Sequence, residues 1–158
     1  MPSVLIVCTA NICRSPIGMG LLSQKLKSLP DGDDWRVASA GTWTQQGRRA
    51  HENSRAVMAQ HGMDIEDHRS QPVTAELLAD FDLVLTMEQG HKEALQVEFS
   101  QFAKRIRLFS EVAGYQYDIP DPIGYGVGEY VSTYRELDRL LDMGMDRIVK
   151  LARGEQAA

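Results

Sequence analysis

Short runs of consecutive apolar residues alternate along this chain with longer stretches in which apolar positions return every three or four residues. The first run, Val4-Leu5-Ile6-Val7, has no polar residue interleaved, as expected of a strand buried in a sheet. Four such runs predict strands: Ser3 to Val7, Arg36 to Ala40, Phe81 to Met87, and Arg105 to Phe109. The intervening stretches read as helices. One opens at Pro16, which suits a first helical turn because its missing N–H has no partner there, with Ser15 before it as the expected N-cap. Leu21, Leu22, Leu26 and Leu29 carry its apolar face. A second runs from about Asn53 to His61, where Gly62 takes the left-handed cap conformation. The closing helix places Tyr130, Tyr134, Leu137, Leu141, Met145 and Ile148 on one stripe. Ser110 to Gly128, with Pro120, Pro122 and several glycines, reads as one long loop, and long loops in compact domains are often functional.

Strands alternating with helices indicate an α/β fold: one domain over residues 1–158, a four-stranded parallel sheet with helices on both faces, and a ligand site beyond the carboxyl ends of the strands. A 158-residue chain that is 43% hydrophobic can bury a substantial core. No apolar run is long enough to insert in a membrane, so a cytoplasmic protein is expected. The net charge of −5 argues against nucleic acid as a partner, because such binding rests on clustered Lys and Arg. Oligomeric state is open, with a monomer favoured. Cys8 and Cys13, the two cysteines, share one loop, cannot staple the fold, and fit a reducing compartment. His51, His61, His68 and His91 lack the spacing of a metal site, so neither metal nor cofactor is expected.

The chemistry concentrates at Val7-Cys8-Thr9-Ala10-Asn11-Ile12-Cys13-Arg14-Ser15-Pro16. A strand, a short loop and a helix N-terminus in succession aim backbone N–H groups at a common centre, and the helix dipole favours an anion there. Thr9, Ala10, Asn11, Ile12, Cys13, Arg14 and Ser15 would supply that cradle, with Asn11 able to take left-handed geometry. In that field, beside Arg14, the Cys8 thiol is expected to ionise and act as a nucleophile. Asp121 stands between Pro120 and Pro122, whose fixed φ angles would hold its carboxyl in one direction. Asp-Pro is also a common turn dipeptide, and the residues alone favour the turn. Trp43 and Tyr125 are either walls for a flat substrate ring or ordinary packing aromatics; Arg48-Arg49 reads as a solvated patch.

Val4 to Pro16 resembles the phosphate-binding loop of the low-molecular-weight protein tyrosine phosphatases. Ser39-Ala40-Gly41-Thr42, His68-Arg69-Ser70, Asp82-Leu83-Val84-Leu85-Thr86-Met87 and Asp121-Pro122 resemble further segments of that family, in the same order. The resemblance implies Cys8 as nucleophile, Arg14 as phosphate clamp and Asp121 as general acid, with Asn11, Ser15, Ser39 and His68 as a hydrogen-bonded support for the loop. It implies a phosphotyrosine-containing protein as substrate, a phosphocysteine intermediate, and a pocket walled by Ile12, Trp43 and Tyr125. Departures from the pattern are Ala10 where the family usually has Gly, the interposed Ile123 and Gly124 before Tyr125, and a shorter stretch between Gly41 and Gly47.

The same loop would suit an arsenate reductase, but relay cysteines beyond Cys13 are absent from the sequence. It would also suit a protein arginine phosphatase, against which Ile12 offers an apolar side chain where a small polar one suits a guanidinium. A non-catalytic phosphate-binding module is disfavoured by the joint presence of Cys8, Arg14 and Asp121. Cys13 is placed either to trap an oxidised Cys8 as a reversible disulfide or simply to pack beneath the loop.

Overall fold

The computed structural model describes residues 1–155. Strands β1 (Ser3–Cys8), β2 (Arg36–Gly41), β3 (Leu83–Thr86) and β4 (Ile106–Leu108) form one parallel sheet in the order β2-β1-β3-β4. Between and after them lie helices α1 (Arg14–Leu26), α2 (Glu52–Gln60), α3 (Ala75–Ala79), α4 (Gln89–Glu98) and α5 (Val127–Ala152).

All six residues of β1 are buried because both faces of the sheet are covered. Val4, Ile6 and Cys8 point to the larger core, with Ile17, Leu21, Leu22 and Leu26 of α1, Val57 and Met58 of α2, and Tyr130, Leu137, Leu141 and Ile148 of α5. Leu5 and Val7 point to the opposite core, with Leu78 of α3 and Leu95 of α4. This two-sided cover is why the strand lacks the polar alternation of a half-exposed sheet. Register levels the carboxyl ends: Cys8 pairs with Gly41, and Val7 with Thr86. The loops after β1, β2 and β3 therefore leave from one edge.

The predicted strands and the closing helix are present, and the differences are local. β3 and β4 are shorter than their apolar runs. Phe81 and Asp82 stand before the ladder, the Asp82 carboxylate accepting from the Ser3 N–H at 3.0 Å, and Phe109 opens a 3-10 turn over Phe109–Ala113. That turn removes the start of the predicted loop, and α5 takes its end from Val127 onward, leaving residues 114–126 irregular. Gly62 has φ +76° just past the end of α2, as expected of a left-handed cap. Ser15 is not an N-cap. The helix begins at Arg14 with Cys13 in the capping position, and Ser15 is buried inside the first turn. His51 caps α2 instead, its Nδ1 accepting from the Asn53 N–H at 3.1 Å.

Candidate active site

Asn11 organises the loop after β1. It is the one non-glycine residue with a positive φ, +61°, among the described residues, a backbone state that asparagine tolerates better than most side chains. The turn brings its own N–H to 3.3 Å from Cys8 Sγ. Its buried side chain then bonds in three directions: Nδ2 donates to Ser15 Oγ at 2.7 Å and to Ser39 Oγ at 2.9 Å, and Oδ1 accepts from the Gln71 N–H at 3.0 Å. The Asn11 carbonyl faces His68 Nε2 at 2.7 Å. A carbonyl can only accept, so His68 carries its proton on Nε2. Burial pushes the His68 imidazole below its ordinary value and keeps it neutral, which suits this single-donor role.

These bonds settle proton directions around the sulfur. Ser15 Oγ accepts from Asn11, so its hydrogen is free to point at Cys8 Sγ, 3.0 Å away. The sulfur is thus faced by two donors, the Ser15 hydroxyl and the Asn11 amide. Ser15, read from sequence as a helix cap and, through the resemblance, as a support for the loop, is not a cap, and its hydroxyl faces Cys8 Sγ. Ser15, Ser39 and His68, which the resemblance grouped with Asn11, each lie within hydrogen-bond distance of it.

Arg14, 1% exposed, opens α1 at the end of this loop. Its Nη1 donates to Glu88 Oε2 and to the Ile119 carbonyl at 2.8 Å. Its Nη2 donates to Thr9 Oγ1 at 3.2 Å and stands 3.5 Å from Asp121 Oδ2, while Nε is buried without a partner. One edge of the guanidinium is fixed by protein; the Nε–Nη2 edge is the one presented for a ligand. That edge matches two oxygens of a tetrahedral oxyanion, and the first-turn amides of α1 add donors that the helix itself cannot satisfy.

Asp121 sits at the mouth of this hollow, its side chain 37% exposed. Its Oδ1 accepts from the Ile123 N–H at 3.1 Å, and Tyr125 N–H closes a turn on the Pro122 carbonyl at 3.0 Å. The turn and the charged group foreseen for Asp-Pro are therefore the same feature. The candidate walls lie differently from one another. Trp43 is tied to the loop through its N–H to the Thr9 carbonyl at 2.9 Å, yet its side chain stands out in solvent, 82% exposed. Tyr125 is exposed as well. Ile12, 7% exposed, belongs to the main core, so it meets a ligand at most by an edge.

Cys8 and Cys13 are both free thiols. Cys13 lies beneath the loop, its sulfur 3.4 Å from the Tyr130 hydroxyl, and burial pushes its thiol up to about 11. His51 and His61 stack on Tyr130 and Tyr134, respectively. Among the described residues no three His, Cys, Asp or Glu side chains are grouped as a metal site, and no helix is long and apolar enough to cross a membrane.

The family model for low molecular weight phosphotyrosine protein phosphatases matches residues 3–153. The chain belongs to that family. It is 34% identical over 146 residues to a probable low molecular weight protein-tyrosine-phosphatase, EpsP, of Ralstonia nicotianae, covering 92% of this chain and 95% of the relative. Its backbone is similar to a crystal structure of the low molecular weight protein tyrosine phosphatase from T. tengcongensis, with a TM-score of 0.87 and 36% identity over 93% of this chain and 99% of that one. It is also similar to the YwlE arginine phosphatase from Geobacillus stearothermophilus, with a TM-score of 0.86 and 28% identity over 100% of this chain and 99% of that one.

Sequence reasoning missed four contributors to this family member's site: Glu88, His91, the side chain of Gln71 and the carbonyl of Ile119. Gln71 Nε2 donates to the Ser39 carbonyl at 3.0 Å, reinforcing the edge from which the loop hangs. Glu88 had a usable signal. It follows the third strand directly, at the same carboxyl edge that singled out Cys8, where a charged residue after a buried run is exposed to the ligand.

Proposed function

We propose that this chain hydrolyses phosphotyrosine in proteins, and simpler aryl phosphates, through a phosphocysteine intermediate in the cytoplasm. The observation that supports the reading best is a pairing within one loop: a cysteine sulfur faced by two donors, and a buried guanidinium whose Nε–Nη2 edge is left for a ligand. In the first step Cys8 Sγ attacks phosphorus in line with the phenolic leaving oxygen. The phosphorus–oxygen bond breaks as the phosphorus–sulfur bond forms, and Asp121 delivers its proton to that oxygen. Arg14 and the loop amides hold the three equatorial oxygens, where charge is spread in the transition state. In the second step water attacks phosphorus, Asp121 takes the water's proton, and Cys8 leaves as a thiolate toward which the Ser15 hydroxyl is directed.

An aryl leaving group is favoured over a phosphoguanidinium by the relatives: the two tyrosine-phosphatase relatives are 34% and 36% identical to this chain, the arginine phosphatase 28%. Hydrolysis of p-nitrophenyl phosphate tests the reading. Cys8→Ser is expected to abolish turnover while still binding inorganic phosphate, and Asp121→Ala to lower kcat by about 10²–10⁴. Substantial turnover by Cys8→Ser would refute the nucleophile. Faster release of phosphate from a phosphoarginine peptide than from a phosphotyrosine peptide would transfer the substrate to the runner-up class.

A further inference from the structure

Helix α4 sends two side chains into the site that the steps above do not use. Glu88, in the N-cap position of α4, holds Arg14 Nη1 from one side while the Ile119 carbonyl holds it from another. His91, one turn later and 9% exposed, places Nε2 at 2.8 Å from Thr9 Oγ1, the same oxygen that accepts from Arg14 Nη2. Its Nδ1 is buried with no partner. A buried bare lone pair is tolerated better than a buried bare N–H, which puts the proton on Nε2, so His91 donates to Thr9. Thr9 Oγ1 then accepts twice, from Arg14 and His91, and retains its own hydrogen.

We propose that Glu88 and His91 are positioning residues for the phosphate clamp: they fix Arg14 at Nη1 and Thr9 so that the Nε–Nη2 edge is already aligned for the equatorial oxygens. The inference rests on the phosphatase reading and deepens it. A buried arginine without these contacts can rotate about its last torsions, and orientation lost before binding is lost mainly from the transition state, where bidentate geometry matters most. Glu88 also supplies an opposite charge beside a guanidinium at 1% exposure, which a buried cation needs.

The test separates reach from charge. Glu88→Gln keeps an oxygen for Nη1 and loses the charge; Glu88→Asp keeps the charge and falls short by one methylene; Glu88→Ala loses both. The expected order of kcat on p-nitrophenyl phosphate is wild type, then Gln within about threefold, then Asp, then Ala at least tenfold down, with KM changing less than kcat. Vanadate, which takes up the five-coordinate geometry of the transferring group, should bind Glu88→Ala at least threefold more weakly, with inorganic phosphate affected less. His91→Ala should show the same preference for weakening vanadate. Glu88→Asp as active as wild type, or Glu88→Ala with kcat and vanadate affinity both within threefold of wild type, would overturn the inference. If Glu88→Ala does not fold, the order of Gln and Asp decides. Wild-type protein that binds vanadate but turns over no aryl phosphate counts against the phosphatase reading, and the vanadate affinities of the variants still judge the role of Glu88.

Discussion

At the scale of single residues, the loop depends on a few side chains that each satisfy several partners. Asn11 is the extreme case: its amide has three bonds, its backbone supplies a donor to the sulfur, and its φ lies where alanine is strained. Asn11→Ala is expected to destabilise the fold by on the order of 2–3 kcal/mol, from bonds left unmade in a buried place and from backbone strain. Turnover should fall at least tenfold. Urea unfolding and p-nitrophenyl phosphate kinetics check both; unchanged kcat in a folded variant would show that the loop keeps its shape without this side chain. Residue identity was legible in the sequence where chemistry and backbone coincide, as at Cys8, Arg14 and Asn11. For Ser15 the sequence carried two readings, a helix cap before Pro16 and a support for the loop; the chain turns helical one residue earlier, which removes only the cap. His91 was not legible, since its significance is set by where α4 docks, and Glu88 offered only its place after the third strand.

Among elements, the strands were legible because two-sided burial leaves uninterrupted apolar runs, and α5 because its stripe from Tyr130 to Ile148 holds over about five turns. The 3-10 turn at Phe109–Ala113 escaped detection, since one short turn has no periodicity to read. The joint between β1 and β2 illustrates how closely the elements constrain one another. A Cβ on Gly41 would stand 2.5 Å from the Thr9 carbonyl oxygen and 3.1 Å from Asn11 Cβ. Backbone cannot rotate aside as a flexible side chain does, so Gly41→Ala must push the loop away from β2. The expected cost is about 1–3 kcal/mol, with a drop in kcat larger than that seen for an alanine at Gly90, where a Cβ meets open space. Equal activities for the two variants would contradict the close approach. No glycine rule foresees this position, because its φ is ordinary and the crowding comes from a loop more than thirty residues away in sequence.

For the molecule as a whole, two buried imidazoles make stability depend on pH. Burial lowers His68, and burial lowers His91 despite the Glu88, Asp118 and Asp121 carboxylates facing it, with the Arg14 charge adding to the depression. Both therefore hold their proton less firmly folded than unfolded. As pH falls through the unfolded value near 6.5, the unfolded chain takes up protons first, and stability that is present above that value drains away below it. The urea midpoint should fall between pH 7.5 and 5.5, and His68→Asn should flatten part of that slope. A midpoint that stays level, or rises on acidification, would contradict the buried neutral assignment. The strand order β2-β1-β3-β4 came only with the structure, whereas fold class and the position of the cradle were accessible from sequence because they follow from local patterns. The closing contacts were not, since they join segments that only the assembled sheet brings together.

The bond between Arg14 and the Ile119 carbonyl spans 105 residues. During synthesis at about 5–20 residues per second, Arg14 leaves the ribosome several seconds before Ile119 is made. Arg14 can therefore take up this anchored position only after most of the chain is made, and the onset of hydrolysis in a new chain should follow that step.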